Sequence, residues 1–395
     1  MFRQEKKYYA RAFLYALAMA AVLLAPFVLL DGGYFVYYGD YNAQQIPFYK
    51  TCIEAVQSGN LGWNWRTDLG VNFVGSYSFY TLGSPFFWFA ALFPVEISQY
   101  LMAPLLALKI ACSSFFAFVY IRRFVTNPQH ALIGGLLYAF SGYSMYNIFF
   151  NHFHEAIVFF PLLLIGLEES VVNKRRGALA VAVAINAFVN YFFFIGECVF
   201  LVLYFVIRLI GDSRFRIGVR DFFCLAFEAV CGVLIAGVLF VPSIFQVLDV
   251  PRSTSMLNGW DFLFYNKNQR YGLILEAMFF PGEVPARTIM FEKADSKWSS
   301  VALFLPLFSM SGVIAMVKGA ATEASRRMKW LRILLPACLI IAMVPGLNSS
   351  FVLFNYSFYT RWFYMPELLC AMATVYVLEH EEFDLGFGAK FSAAA

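Results

Sequence analysis

Residues 12–30 read AFLYALAMAAVLLAPFVLL, and residues 31–49 continue DGGYFVYYGDYNAQQIPFY. The first stretch is uncharged over about the 20 apolar residues that a helix needs to cross a bilayer. It opens after Arg3, Lys6, Lys7 and Arg11 and lacks a small-residue cleavage site, so it is predicted to stay as an anchor with its amino end in the cytoplasm. The second stretch, polar and aromatic at once, is then held at the outer boundary of the membrane. This succession decides the fold class: an all-α polytopic membrane protein.

The rest of the chain agrees. Hydrophobic residues make up 61% of the 395 positions and charged residues 14%, against roughly 45–50% and 25% in soluble domains, which excludes an ordinary soluble enzyme. Further apolar segments lie at 97–121, 130–150, 156–171, 222–248, 299–317, 330–347 and 361–379. Segment 177–210 is too long for one straight crossing and is predicted to divide near Asn190, Tyr191 and Gly196, for about ten spans in all. The run Phe86–Pro94 is bracketed by prolines and too short to cross. Reading it as an interfacial or re-entrant helix puts Arg122–Arg123, Lys174–Arg175–Arg176, the Arg208–Arg220 cluster and Arg326, Arg327 and Lys329 on one cytoplasmic face; reading it as a span scatters them. The outer side then receives 31–96, Asn151–Glu155, 249–298 and 348–360. Residues 1–382 read as one membrane domain and 383–395 as a trailing end. Seven scattered cysteines have no metal or redox spacing, and the net charge of +4 does not point to nucleic acid.

Candidate chemistry concentrates outside. Asp40 follows a glycine just beyond the bilayer edge, where a carboxylate can face a lipid headgroup; it equally suits capping the helix expected from Asn42 to Val56, whose apolar residues Ile46, Tyr49, Ile53 and Val56 recur at helical spacing. Trp63–Asn72, with Asp68, and Tyr77–Tyr80 mix aromatic faces with polar groups, as sugar rings require and as an interfacial belt also supplies. Asn151-His152-Phe153-His154-Glu155 places two imidazoles beside a carboxylate, suited to a base, a proton relay or a loop anchor, and weak as a metal site without further ligands. Arg361 lies at headgroup depth, where a guanidinium can clamp phosphate. Lys109 lies mid-span and needs a partner or a cavity. Arg252, Lys267, Arg270 and Arg287 offer cations to an anionic acceptor or simply to water.

Taken in order, Gly39-Asp40-x-x-x-Gln44-x-x-Pro47-Phe48-Tyr49, Leu69-Gly70-x-Asn72, Ser84-Pro85-Phe86, Ser141-Gly142-Tyr143, Pro161-Leu162-Leu163-Leu164 and Arg361-Trp362 resemble the YfhO-type bacterial membrane proteins, placed in the GT-C superfamily of glycosyltransferases. The resemblance implies an enzyme of the bacterial cytoplasmic membrane. It would move a sugar, with inversion, from a polyprenyl-phosphate donor to an anionic extracytoplasmic envelope polymer of teichoic-acid type. Asp40 would be the catalytic carboxylate, with His154 or Glu155 tuning or replacing it. Arg361, Lys109 and Arg270 would hold the donor phosphate, and Tyr41, Gln44, Asn72, Tyr80 and His152 would contact substrate. The resemblance points to no particular cofactor, and a divalent metal is compatible. Relatives in that family usually continue with further spans. The rival reading is a lipid or solute transporter, for which a mid-span Lys109 is the main argument; a third is a non-catalytic membrane scaffold.

Overall fold

The computed structural model describes residues 2–67, 69–248, 256–283, 290–294 and 297–395; Asp68, Arg252 and Arg287 lie outside them. The chain begins with α1 (Phe2–Leu30), continues through an irregular segment containing α2 (Ile46–Gln57), a two-stranded antiparallel ribbon (β1 Trp63–Asn64, β2 Val71–Asn72), α3 (Phe73–Tyr77) and α4 (Pro85–Ala90), and then enters α5 (Met102–Ile121). Next come α6 (Pro128–Ala139), α7 (Gly142–Tyr146), α8 (Phe153–Val171), α9 (Ala178–Val189), α10 (Tyr191–Gly211) and α11 (Val219–Leu248). The last part holds α12 (Gln269–Phe279), α13 (Ser311–Lys318), α14 (Glu323–Arg327), α15 (Lys329–Met343), α16 (Pro345–Ser349), α17 (Tyr364–Glu379) and α18 (Leu385–Ala394).

In α1 and α11 the large apolar residues face outward, as lipid solvation allows. In α1 the buried stripe is small, with Ala12, Ala16 and Ala20 fully enclosed, while Val22, Leu29 and Leu30 are exposed. Small residues let α1 approach α5 closely, and hydrocarbon solvates the large ones. In α11, Gly232 and Ala236 face α9, and a β-carbon at Gly232 would lie 2.6 Å from the Ala180 carbonyl. Phe223, Phe227, Leu234 and Val238 point outward. The chain is a predominantly helical membrane protein.

Four described helices are long and apolar enough to cross a bilayer: Lys6–Leu30, Val95–Ile121, Tyr191–Gly211 and Val219–Leu248. A fifth results if Lys329–Met343 and Pro345–Val352, bent by 101°, count as one. The remaining apolar segments are shorter or broken. The division of 177–210 falls at Asn190, as expected: its extended backbone ends α9, its side-chain oxygen caps Phe192 and Phe193, and its amide donates to Phe79 O at 3.0 Å. The single helix expected over 130–150 is interrupted at Ser141, because Gly142 N–H donates to Phe304 O at 2.7 Å instead of continuing the helical ladder. Segment 299–317 is not a continuous helix. Ser300, Leu307 and Ser309 take positive φ, and the early part runs irregularly between neighbours, with Leu303 N–H donating to Ala277 O at 2.9 Å. Such a backbone is tolerated in a membrane protein only where protein groups satisfy it. Residues 385–394, read as a trailing end, form α18, which docks on α13: Asp384 pairs with Lys318 at 2.8 Å, and Gly388 leaves no room for a β-carbon beside Ser311 O, at 2.0 Å.

The basic clusters share one end of the bundle. Arg123 and Arg175 both pair with Glu169, Arg176 pairs with Asp221 at 2.6 Å, and Arg208, held by Glu168 and Asp212, packs over Trp330 at 4.6 Å. The segment between α1 and α5 folds onto the opposite end and seats on the short α9. A β-carbon at Gly83 would lie 2.2 Å from Phe188 O and 2.4 Å from Val189 O. Gly83→Ala is therefore expected to cost about 1–3 kcal/mol through backbone displacement; an unchanged thermal midpoint of the purified variant would show that the segment is not seated there.

Candidate active site opposite the basic clusters

Asp40 owes its position to the turn before it. Gly39 has φ +59°, and a β-carbon there would approach the Trp298 ring to 2.9 Å, so the turn needs glycine on both counts. Asp40 then opens the π-helical turn Tyr41–Gln45 but makes no side-chain capping bond to it. The capping role is thus not realised, and the half-buried carboxylate is left for other partners. Burial raises its pKa above the ordinary carboxylate range, opposed by the nearby charges of Arg361 and Lys297. Tyr80 lies in the same field, reached by the charges of both Asp40 and Arg361.

Arg361 comes from the segment leading into α17. Its guanidinium lies over Tyr359 at 3.9 Å, with Phe153, Phe192 and Phe150 at 5.2, 5.5 and 5.7 Å, and its carbonyl accepts from Tyr143 Oη at 2.5 Å. The aromatic rings pack around the cation on several sides.

His152 closes the other side. It precedes α8, stacks edge-on against Phe79 and Tyr80 with centroids 4.6 and 4.9 Å away, and its Nδ1 lies 3.0 Å from Gln45 Oε1. Burial and the Arg361 charge hold the imidazole well below the ordinary histidine range, so it is neutral. Asp40, Tyr80, His152 and Arg361 are brought together from four separated stretches of the chain.

Other expected site residues go elsewhere. Lys109 and Glu155 meet each other rather than a headgroup. Lys109 is fully enclosed, pairs with Glu155 at 2.8 Å and donates to Asn151 O and Oδ1, both at 3.1 Å. The Glu155 carboxylate also accepts from Ser84 Oγ at 2.5 Å. This knot ties α5 and α8 to the segment that carries Ser84. It corrects the expectation of a phosphate-binding lysine and a spare base, because a cation and a carboxylate out of contact with water stabilise one another first. His154 turns away from His152: its Nε2 lies 3.0 Å from Ser144 O. Arg270 is 1% exposed, donating to Ser299 Oγ and Phe358 O, so it braces two backbone segments instead of facing an acceptor. Asn72 caps α3 by accepting from Gly75 N–H at 2.8 Å. Tyr41 is enclosed against Phe35 and Tyr37. Gln44 is half-buried, and Lys267 is exposed.

Gln45 and Lys297 carry no signal that separates them in sequence. Gln44 and Gln45 are adjacent, and only the phase of the π turn turns the second inward; Lys297 arrives from a distant loop. No group of three His, Cys, Asp or Glu side chains among the described residues is arranged to hold a metal ion.

A family model described as bacterial membrane protein YfhO matches residues 11–389, nearly the whole chain. The chain belongs to the YfhO family. No curated protein and no solved structure matches it significantly. For this YfhO protein the family model covers every residue of the cluster and α18 as far as residue 389. Chemically, the cluster offers a carboxylate in reach of a proton, a cation for an anion, and aromatic faces beside neutral hydrogen-bonding groups.

Proposed function

We propose that this YfhO protein is a GT-C-type membrane glycosyltransferase that moves a sugar from a polyprenyl-phosphate donor to an extracytoplasmic envelope acceptor, with teichoic-acid-type polymers the favoured class. The observation that carries the reading is the uncapped Asp40 carboxylate within the field of Arg361, with Tyr80 and His152 beside it. The positive-inside rule assigns the end bearing the basic clusters to the cytoplasm, which puts Asp40 outside. The acceptor oxygen attacks the anomeric carbon as the bond from that carbon to the phosphate oxygen breaks. The acceptor proton passes to Asp40, and the polyprenyl phosphate leaves against Arg361. A phosphate leaving group needs a cation more than an acid, so one base suffices. The pairing of Lys109 with Glu155 weakens the transporter reading, because a paired and enclosed ammonium offers no midplane site.

The test is incubation of the purified protein with radiolabelled polyprenyl-phosphate sugars and envelope polymers, with and without chelator. Label should appear in polymer, and vectorial transport in vesicles without transfer would support the rival instead. Since the base acts ionised and its pKa is raised, transfer should fall as pH drops through a value above the ordinary carboxylate pKa of about 4. An acid limb at or below that value in a kcat/KM profile would exclude Asp40 as the titrating group.

A further inference from the structure

Gln45 and His152 share one hydrogen bond and each keeps a buried polar atom outside it. Both side chains are 2% exposed. His152 Nδ1 lies 3.0 Å from Gln45 Oε1, while Gln45 Nε2 and His152 Nε2 are enclosed without a hydrogen-bond partner among the described residues. With the imidazole neutral, two arrangements exist. If Nδ1–H donates to the amide oxygen, His152 Nε2 is left as an acceptor and the Gln45 amino group as a donor. If the amide is turned, its amino group donates to Nδ1, the ring proton sits on Nε2, and the amide oxygen is left as the acceptor. Either way the pair presents at least one donor and one acceptor, which together complement a hydroxyl group.

The surroundings suit a sugar. His152 lies among the rings of Phe79, Tyr80 and Phe153, with centroids at 4.6, 4.9 and 4.8 Å, and aromatic faces accept the CH-rich side of a pyranose. Tyr80 also lies in the field of Asp40 and Arg361, so the pair is next to the reacting centre and not at a remote surface. We propose that Gln45 and His152 form the subsite that recognises a hydroxyl of the transferred sugar, and that this pair sets which sugar is accepted. The inference rests on the glycosyltransferase reading and names a specificity determinant within it. A buried donor and acceptor left unmatched are costly, so a sugar lacking the matching hydroxyl is rejected.

The test is a cycle that crosses a protein change with a substrate change. Full-length protein in lipid nanodiscs is given undecaprenyl-phosphate glucose, undecaprenyl-phosphate N-acetylglucosamine, and the monodeoxy analogues of whichever is accepted. Transfer is read as kcat/KM, and donor retention by native mass spectrometry. Loss of the matched hydroxyl should lower the wild-type value about ten- to a hundredfold, whereas Gln45→Leu should treat the parent and that deoxy sugar alike. Undiminished discrimination by Gln45→Leu at every hydroxyl position overturns the proposal. His152→Asn replaces Gln45→Leu in the same cycle if the latter does not yield monodisperse protein, with the same two outcomes. If the donors are retained but never transferred, the glycosyltransferase reading fails while the cycle, read on retention, still decides the subsite. If wild-type protein neither retains nor transfers any of them, both fail.

Discussion

Asp40→Asn is expected to leave the protein folded in the membrane and to lower sugar transfer by about 10²–10⁴-fold. The substitution is nearly isosteric, and the fold loses nothing specific, because Asp40 makes no capping bond to the turn it opens. What disappears is the proton acceptor: an amide in the same place cannot take the proton of an attacking hydroxyl. Donor retention should be unchanged or tighter, since the Arg361 cation loses a competing negative charge. The measurement is transfer from labelled donor by the variant, with donor retention and thermal midpoint as controls. Near-normal turnover would remove Asp40 from the mechanism.

Lys109→Met is expected to destabilise the protein by about 3–5 kcal/mol, whereas Lys109→Met combined with Glu155→Leu should recover most of that loss. The argument turns on burial. The pair is 0% and 3% exposed on its two sides and 2.8 Å apart, so removing the cation strands Glu155 out of water, with Ser84 Oγ as its hydrogen-bond donor. Removing both partners strands neither. The single change also releases Asn151, next to His152, and should loosen the turn on which His152 stands. Thermal unfolding of wild type, both single variants and the double variant supplies the cycle. A Lys109→Met protein as stable as wild type would show that the pair does not hold the segment carrying Ser84 to α5 and α8.

Much of the architecture was legible because hydrocarbon imposes a simple pattern. The opening apolar run, the lipid-facing residues of α11 and the break at Asn190 follow from length, hydropathy and one polar residue in an otherwise apolar stretch. The segment 299–317 was not legible in the same way. Its composition is that of a helix, yet its backbone bonds to Ala277 and Gly142 and never closes its own ladder in its first half. Hydropathy reports that a segment avoids water; it does not report whether the segment's carbonyls are satisfied within it or by neighbours. Lys109 illustrates the same division. A mid-span cation requires a partner or a cavity, and local sequence did not choose between them; the structure sets it against Glu155, a residue equally compatible with catalysis when read along the chain.

From the order of residues alone come the membrane, the single face of basic clusters, the placement of Asp40 at a segment boundary and the family resemblance, because each depends on local composition or on motifs read along the chain. The tertiary structure alone brings Asp40, Tyr80, His152 and Arg361 near one another, turns Gln45 and not Gln44 inward to the imidazole, pairs Lys109 with Glu155 and sets Arg270 against Ser299. The physical reason is that hydrogen bonds and ion pairs act over a few ångströms. Residues separated by hundreds of positions interact only where packing of the helices brings them within that range, and local sequence carries no record of that distance.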